Sequence, residues 1–540
     1  MEKWKVYRRR RHCQAVAIAF VGETGLLARP PDSGTPPTGV PHPRSGTPLN
    51  NRPRIDTLPP TVNTSRMWNI LAWLLAAHLL LALWAIIAVL RGRREPMAML
   101  SWIFAIITLP FFGSLLCWLL ESTHIHRKAH RRRRRVAHLM AILSRRAADR
   151  VPRVKLPEDL RALEQMGQRL CQMPATHGNE VRLYQEAGVT YAGLEAAIRG
   201  AEHHIHMEYY IWQPDDTGHY FRDLLIEKAR AGVECRLLLD AVGCWKLTRR
   251  FLKPLTEAGC RVAFFMPLYG TRRRLSLHMR NHRKIAVIDG RTAFVGSQNV
   301  GDEYLGRLKK LCPWTDTHMR VIGPAAMFLQ QTFAEDWFLA TRESLTDETY
   351  FPDPRLSGDS VVQILPTGPA RDVSPINQIV FAAVSSAKSE IHIETPYFVP
   401  DAGMRMALIH ACYRGVRVRL VLPTRSNYFL VLWAGRSFYP ELLDAGVEIY
   451  EYDAGMLHSK IVTVDDRWCM LGTANMDVRS ARLNFEVTAL LYDQDVTRQL
   501  VDTISQHCDS ARRIQAREVW QWSLPTQLIA GVARLFTPLL

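Results

Sequence analysis

Ten cysteines are scattered along the 540 residues, at positions 13, 117, 171, 235, 244, 260, 312, 412, 469 and 508, and no two form a Cys-x-x-Cys pair. That absence argues against a zinc ribbon or a disulfide framework and leaves thiols suited to core strands as small hydrophobes. Acidic residues are also scarce. There are 51 Asp and Glu against 69 Lys and Arg, giving a net charge of +18 and a pI near 9.6. Such a surplus favours a polyanionic partner without separating nucleic acid from anionic membrane. Charge is missing altogether from Met97–Leu120, and only Asn69 and His78 interrupt the apolar run Met67–Leu90. Each run holds 24 residues, enough to cross about 30 Å of hydrocarbon at about 1.5 Å per residue.

The short link Arg91–Pro96 requires the two runs to form an antiparallel hairpin, which Pro110 is expected to kink in its second arm. Trp68, Trp73 and Trp118 lie toward the segment ends, as interfacial anchors do. Beyond the hairpin, Arg127-Lys128 and Arg131–Arg135 outweigh Arg91, Arg93 and Arg94 in the link. The positive-inside bias then places the rest of the chain in the cytoplasm, and the basic stretch should hold anionic lipid rather than RNA.

The chain also carries one pattern twice, 176 residues apart. His282-Arg283-Lys284, Asp289 and Gly296-Ser297-Gln298-Asn299 recur as His458-Ser459-Lys460, Asp465 and Gly472-Thr473-Ala474-Asn475, with identical spacing. Each copy reads as two strands: Lys284–Ile288 with Thr292–Gly296, and Lys460–Val464 with Trp468–Leu471. Asp289-Gly290 and Asp465-Asp466 suggest two-residue turns. In that register His282 faces Ser297 and Lys284 faces Val295. His282, Lys284, Ser297 and Asn299 then share one face, and His458, Lys460, Thr473 and Asn475 share another.

An imidazole serves as nucleophile or general acid–base near neutral pH. Lysine and amide groups stabilise charge on phosphoryl oxygens. Two copies facing each other would put imidazoles on opposite sides of one phosphorus, one attacking while the other protonates the leaving alcohol. Neither a metal nor a cofactor is required. Asp289 and Asp465 complete the candidate catalytic set by spacing, although their place at the turns argues for a structural role. Glu208 and Glu394, equivalent in the two halves, read equally as hydroxyl-binding or orienting groups and as paired structural acids. Arg272–Arg274, with Arg280 and Arg283, are read as attracting an anionic headgroup to the first motif.

Repetition extends outside the motifs. Ile205-His206-Met207-Glu208 matches Ile391-His392-Ile393-Glu394, and Gly232–Leu239 matches Gly415–Leu422. Each half reads as three helix–strand units, the motif hairpin and one more strand. The expected fold is α/β: two tandem lobes of mixed, largely parallel sheet flanked by helices, with the site between them. The expected layout is an extension over 1–66, rich in Pro, Gly, Ser and Thr within 30–60, the hairpin over 67–120 and a basic linker over 121–175. The lobes follow over 176–355 and 356–520, and a tail over 521–540 either closes over a lobe or touches the membrane.

With these residues in view, the chain resembles the phospholipase D superfamily, whose H-x-K-x4-D signature is present twice, over roughly residues 176–520. Within it the chain is similar to the bacterial cardiolipin synthases through Ile205–Tyr210, Trp314-Thr315-Asp316, Asn475–Ser480, Leu483-Asn484-Phe485-Glu486, Thr537–Leu540 and the hydrophobic pair. The resemblance implies phosphatidyl transfer between two phosphatidylglycerol molecules through a phosphatidyl-histidine, with His282 as nucleophile and His458 as acid–base. It also favours Asp316 and Glu486 over Asp289 and Asp465 as the carboxylates that orient the histidines. The implied partners are phosphatidylglycerol, other anionic phospholipids and the membrane, not nucleic acid. The implied location is a multi-pass protein of the bacterial inner membrane. A phospholipid hydrolase would use the same residues with water as acceptor, and phosphatidylethanolamine can replace the second lipid. Residues 1–66 do not match the family pattern, which begins near Met67, so they read as a mis-called start or a dispensable tail.

Overall fold

A computed structural model describes residues 64–92, 96–120, 141–142, 150–151, 154–267, 279–307, 313–369 and 374–540. The extension before Thr64, Arg93, Arg94, the basic stretch Arg127–Arg135 and Arg272–Arg274 lie outside the described residues. Met1–Leu71 and Ala72–Leu540 are separate units, and the candidate site lies wholly in the second.

The first apolar run is one helix, Thr64–Leu90, and among the described residues it is the one helix long and apolar enough to cross a membrane. The second run is not merely kinked. It forms two helices, Pro96–Thr108 and Phe112–Leu120. Pro110 lacks an N–H and Phe111 adopts a left-handed φ of 59°, so the helical ladder stops there. The amide of Phe111 donates instead to His78 Nδ1 at 3.3 Å. One of the two polar interruptions thus satisfies the backbone at the break.

Among the described residues, the rest of the chain puts fifteen strands into one sheet. Lobe 1 comprises β1 (Ala175–Tyr184), β2 (His204–Tyr209), β3 (Glu234–Asp240), β4 (Arg261–Phe265), the hairpin β5 (Lys284–Ile288) and β6 (Thr292–Gly296), then β7 (Trp314–Thr315) and β8 (His318–Ile322). Lobe 2 repeats this as β9 (Ser360–Thr367), β10 (Glu390–Glu394), β11 (Arg417–Pro423), β12 (Glu448–Tyr452), β13 (Met456–Leu457), β14 (Ile461–Val464), β15 (Trp468–Gly472) and β16 (Glu486–Leu491), with β17 (Arg512–Arg513) at the edge. From one edge the order is β17-β12-β11-β10-β14-β15-β16-β9-β1-β8-β6-β5-β2-β3-β4; β7 and β13 pair separately. The first half of β1 pairs with β9 and its second half with β8, which joins the two lobes.

The expectation of largely parallel sheets is corrected. Parallel pairing is confined to β2–β3–β4 and β10–β11–β12, where helices supply the crossovers, and every other pairing in the large sheet is antiparallel. The motif hairpins impose this, since a short turn reverses chain direction. Each lobe ends in a helix that the sequence pattern did not single out, Pro324–Thr341 and Gln494–Asp509. Phe328, Phe333 and Trp337 of the first and Leu500 and Ile504 of the second share a buried core with Ile285, Val295, Ile461 and Leu471. The motif strands of both lobes thus rest on one hydrophobic body.

Candidate active site

The segment entering each motif strand pairs with the opposite lobe. Asn281 bridges Phe485, and the amide of His282 donates to the Phe485 carbonyl at 2.9 Å. Reciprocally, β13 pairs with β7, and the amide of His458 donates to the Thr315 carbonyl at 2.7 Å. The next residue after each of these partners is acidic, Glu486 after Phe485 and Asp316 after Thr315. This exchange delivers each histidine to the other lobe's carboxylate. His282 Nδ1 lies 2.9 Å from Glu486 Oε2, and His458 Nδ1 lies 2.7 Å from Asp316 Oδ1. An Nδ1–H given to a carboxylate leaves the imidazole lone pair on Nε2.

The surroundings fix the charge states. Burial drives His282 down to about 4, with Glu486 opposing, and drives His458 to about 4 with Lys460 adding to the effect. Both rings are therefore neutral near pH 7. Burial works to raise Glu486 and Asp316, but the paired histidines and nearby lysines outweigh it and hold both below the usual carboxylate range. Burial also pushes Lys284 well down and Lys460 to about 8. Lys460 acts electrostatically on His282, and Lys284 on His458, so the two motifs share one field. Tyr210 sets its ring against His282, centroids 4.8 Å apart, and carries Lys284 Nζ over its face at 5.3 Å. Trp314 covers His458 at 4.9 Å.

The two-residue register does not hold. Ile288 pairs with Thr292 and Val464 with Trp468, so each turn has three residues. Asp289 and Gly290 have φ of 52° and 65°, and Asp465 and Asp466 have 54° and 50°. The aspartates stabilise this geometry. Asp289 accepts the backbone amides of Glu202, His203 and His204 at 2.9, 2.8 and 2.8 Å. Asp465 accepts those of Lys388, Ser389 and Glu390 at 2.8, 2.7 and 3.0 Å. Both lie at the far end of the motif strand from the histidine, tying the turn to the start of the neighbouring strand.

Extending the observed pairings sets Lys284 against Gly296 and Lys460 against Gly472, so Ser297 and Thr473, and with them Asn299 and Asn475, leave the His–Lys face. Thr473 reaches a carboxylate instead. Thr473 Oγ1 donates to Glu486 Oε2 at 2.6 Å, and Asn484 Nδ2 to Glu486 Oε1 at 3.0 Å. The Ser297 hydroxyl donates to the Thr317 carbonyl at 3.1 Å, near enough to Asp316 to help hold it low. Asn299 is engaged by Tyr304 Oη at 2.7 Å and by the amide of Ile211 at 3.0 Å. Asn475 differs: its amide oxygen is buried without a hydrogen-bond partner.

Arg280 and Arg283 do not present charge to a headgroup. Both are buried; Arg280 pairs with Asp240 at 3.4 Å, and Arg283 pairs with Asp336. Arg283 also reaches lobe 2, donating to the carbonyls of Glu486 and Thr367 at 3.0 Å each. Glu208 is buried against Asn281, and its carboxyl is raised well above the usual range by burial and by Asp336. Glu394 is also buried, 2.7 Å from His507 Nδ1. Tyr210, Asp240, Asn281 and Asp336 escaped the sequence reading as site residues. The signal for Tyr210 was present, because it closes the quoted segment Ile205–Tyr210.

The family model described as "Cardiolipin synthase, PLD-like domain" matches residues 194–337 and 380–508, the two lobes. A cardiolipin synthase of Geobacillus kaustophilus is 36% identical over 451 residues, covering 83% of this chain and 90% of that protein. Cardiolipin synthase 2 of Bacillus cereus is 37% identical over 454 residues, covering 83% and 88%. Among solved structures, phosphatidylserine synthase of Haemophilus influenzae superposes with a TM-score of 0.54 at 17% identity, over 71% of this chain and all of that one, a likeness of fold. With both repeats matched and relatives aligned over most of its length, the chain belongs to the bacterial cardiolipin synthases of the phospholipase D superfamily.

Proposed function

We propose that this protein is a cardiolipin synthase, joining two phosphatidylglycerol molecules into cardiolipin with release of glycerol. The observation that carries the reading is the crossed pairing of His282 with Glu486 and of His458 with Asp316. Each lobe supplies the carboxylate for the other's imidazole, so only the joined lobes make a catalytic pair.

His282 Nε2 attacks phosphorus, and a phosphorus–nitrogen bond forms as the bond to the glycerol oxygen breaks. Protonated His458 gives its proton to that oxygen, and glycerol leaves. The neutral His458 then takes a proton from the hydroxyl of the second phosphatidylglycerol. That oxygen bonds to phosphorus, the phosphohistidine bond breaks and His282 is regenerated. Lys284 and Lys460 stabilise charge on the phosphoryl oxygens, with Asn475 as a further polar contact. Glu486, braced by Thr473, and Asp316 hold the imidazoles in orientation. His458 is depressed to about 4, so its acid role needs the negative lipid phosphate beside it to favour the imidazolium.

The same reading makes the apolar N-terminal part a two-pass anchor in the inner membrane, with the lobes in the cytoplasm. Packing of Ala82, Ala85 and Val89 with Ile106 and Cys117 supports a hairpin. The test is purified protein with phosphatidylglycerol alone, products read by mass spectrometry. Cardiolipin and glycerol in equal amounts are expected; phosphatidic acid alone would replace the reading with a hydrolase.

A further inference from the structure

The C-terminal helix Leu524–Leu535 has two unlike faces. Ala530 and Ala533 are buried, with Thr526 and Thr537 half-buried on the same side, and the helix packs there on Phe429–Arg436. At about 100° per residue, the opposite side gathers Leu524, Leu528, Val532 and Leu535. Their exposures are 68%, 59%, 54% and 77%. Small residues turned inward and large aliphatic ones turned outward reverse the usual order. A contiguous exposed apolar surface of this kind marks a docking site.

The helix it packs on, Phe429–Arg436, opens with Tyr428 and Phe429, also exposed, and its Trp433 packs on Trp522. Tyr428 lies 5.8 Å from Tyr397 and acts electrostatically on Tyr210, whose ring abuts His282. Tyr428, at the start of the helix that carries the C-terminal one, therefore stands beside the candidate active site. Residues 511–540 carry Arg512, Arg513, Arg517 and Arg534 against Glu518 alone; Arg512, Arg513 and Arg534 pair with Glu518, Glu448 and Glu441, while Arg517 and Trp520 stay exposed. Aliphatic residues framed by arginine and tryptophan suit the headgroup boundary of an anionic bilayer.

We propose that the outer face of Leu524–Leu535, with Tyr428 and Phe429, docks on the anionic bilayer surface and brings the mouth beside His282 to the lipid headgroups. The proposal rests on the lipid substrate inferred above, but its test reads position rather than turnover. A chain that hydrolysed lipids would still pass it.

Nitroxide labels are placed at Leu528→Cys and Val532→Cys, and at Leu356→Cys as an exposed position outside the patch, in a full chain with Cys13, Cys312 and Cys412 replaced by Ser. The proteins are reconstituted into vesicles of phosphatidylglycerol and phosphatidylethanolamine, and collision with oxygen is compared with collision with a water-soluble nickel chelate. Labels at 528 and 532 should favour oxygen several-fold over the label at 356. Equal nickel accessibility at all three positions would overturn the proposal by leaving the face in water. Spin–spin broadening at 528 and 532 would overturn it by showing a second copy on the face.

Discussion

The two lobes share one strand order and one motif, yet they surround their histidines differently. Glu486, serving lobe 1's His282, accepts from three side chains: His282, Thr473 and Asn484. Asp316, serving lobe 2's His458, has one carboxylate oxygen buried without a partner. Lobe 1 follows its histidine with Arg283, which clamps Asp336 and two carbonyls of lobe 2. Lobe 2 has Ser459 there, whose hydroxyl bonds to the Thr315 carbonyl at 3.3 Å. Duplication supplied two similar halves; under the proposed mechanism the nucleophile is the more rigidly held of the two histidines and the acid–base the less constrained.

Removing the histidines breaks the comparison most severely. His282→Ala should lower turnover by about 10⁴-fold or more and yield no covalent adduct. His458→Ala should slow turnover comparably while allowing the adduct to build up. Equal adduct levels in the two variants, measured by peptide mass spectrometry, would erase the asymmetry.

The carboxylates come next. Glu486→Gln should cost about 10³–10⁴-fold in kcat, since an amide disturbs all three donors. Asp316→Asn should cost about tenfold less, because fewer partners depend on it. A reversed ranking would assign the stiffer role to lobe 2.

Arg283→Met should destabilise the protein by about 3–5 kcal/mol in urea unfolding, as it strands Asp336 beside Glu208. Ser459→Ala should cost only about 1 kcal/mol. By contrast, Asp289→Ala and Asp465→Ala should behave alike, each losing about 2–3 kcal/mol of stability with kcat retained. A large kcat loss in either would return that aspartate to the catalytic set.

The last effect is on pH dependence. His282 and His458 have folded values near 4, below the unfolded value of about 6.5. As pH falls from about 6.5 toward 4, the unfolded chain binds protons that the folded chain does not, so stability falls across that window. His282→Asn with His458→Asn should flatten the decline in melting temperature. A slope equal to wild type would place the histidines outside burial's influence.

Much of the site was legible because the motif strands carry both identity and period. Lys284–Ile288 and Thr292–Gly296 fall where the apolar runs put them. The turn was misread because Asp-Gly suits two-residue hairpins, whereas here the aspartate accepts three amides from a strand distant in sequence. That contact has no local signature. The exchange of Asp316 and Glu486 between lobes was equally hidden, since sequence order sets each carboxylate after its own lobe's histidine. Pro324–Thr341 escaped because it is buried nearly all round, with Gln330, Gln331, Thr332 and Asp336 enclosed among its apolar residues, which removes the amphipathic period by which helices are recognised.

The most direct test is to trap the intermediate. The protein is mixed with phosphatidylglycerol, quenched within one turnover and digested, and the phosphatidyl-modified peptide is located by mass spectrometry. The mark should fall on the peptide containing His282 and grow stronger in His458→Ala. A mark on His458, or none in either protein under turnover, would contradict two imidazoles working in sequence on one phosphorus.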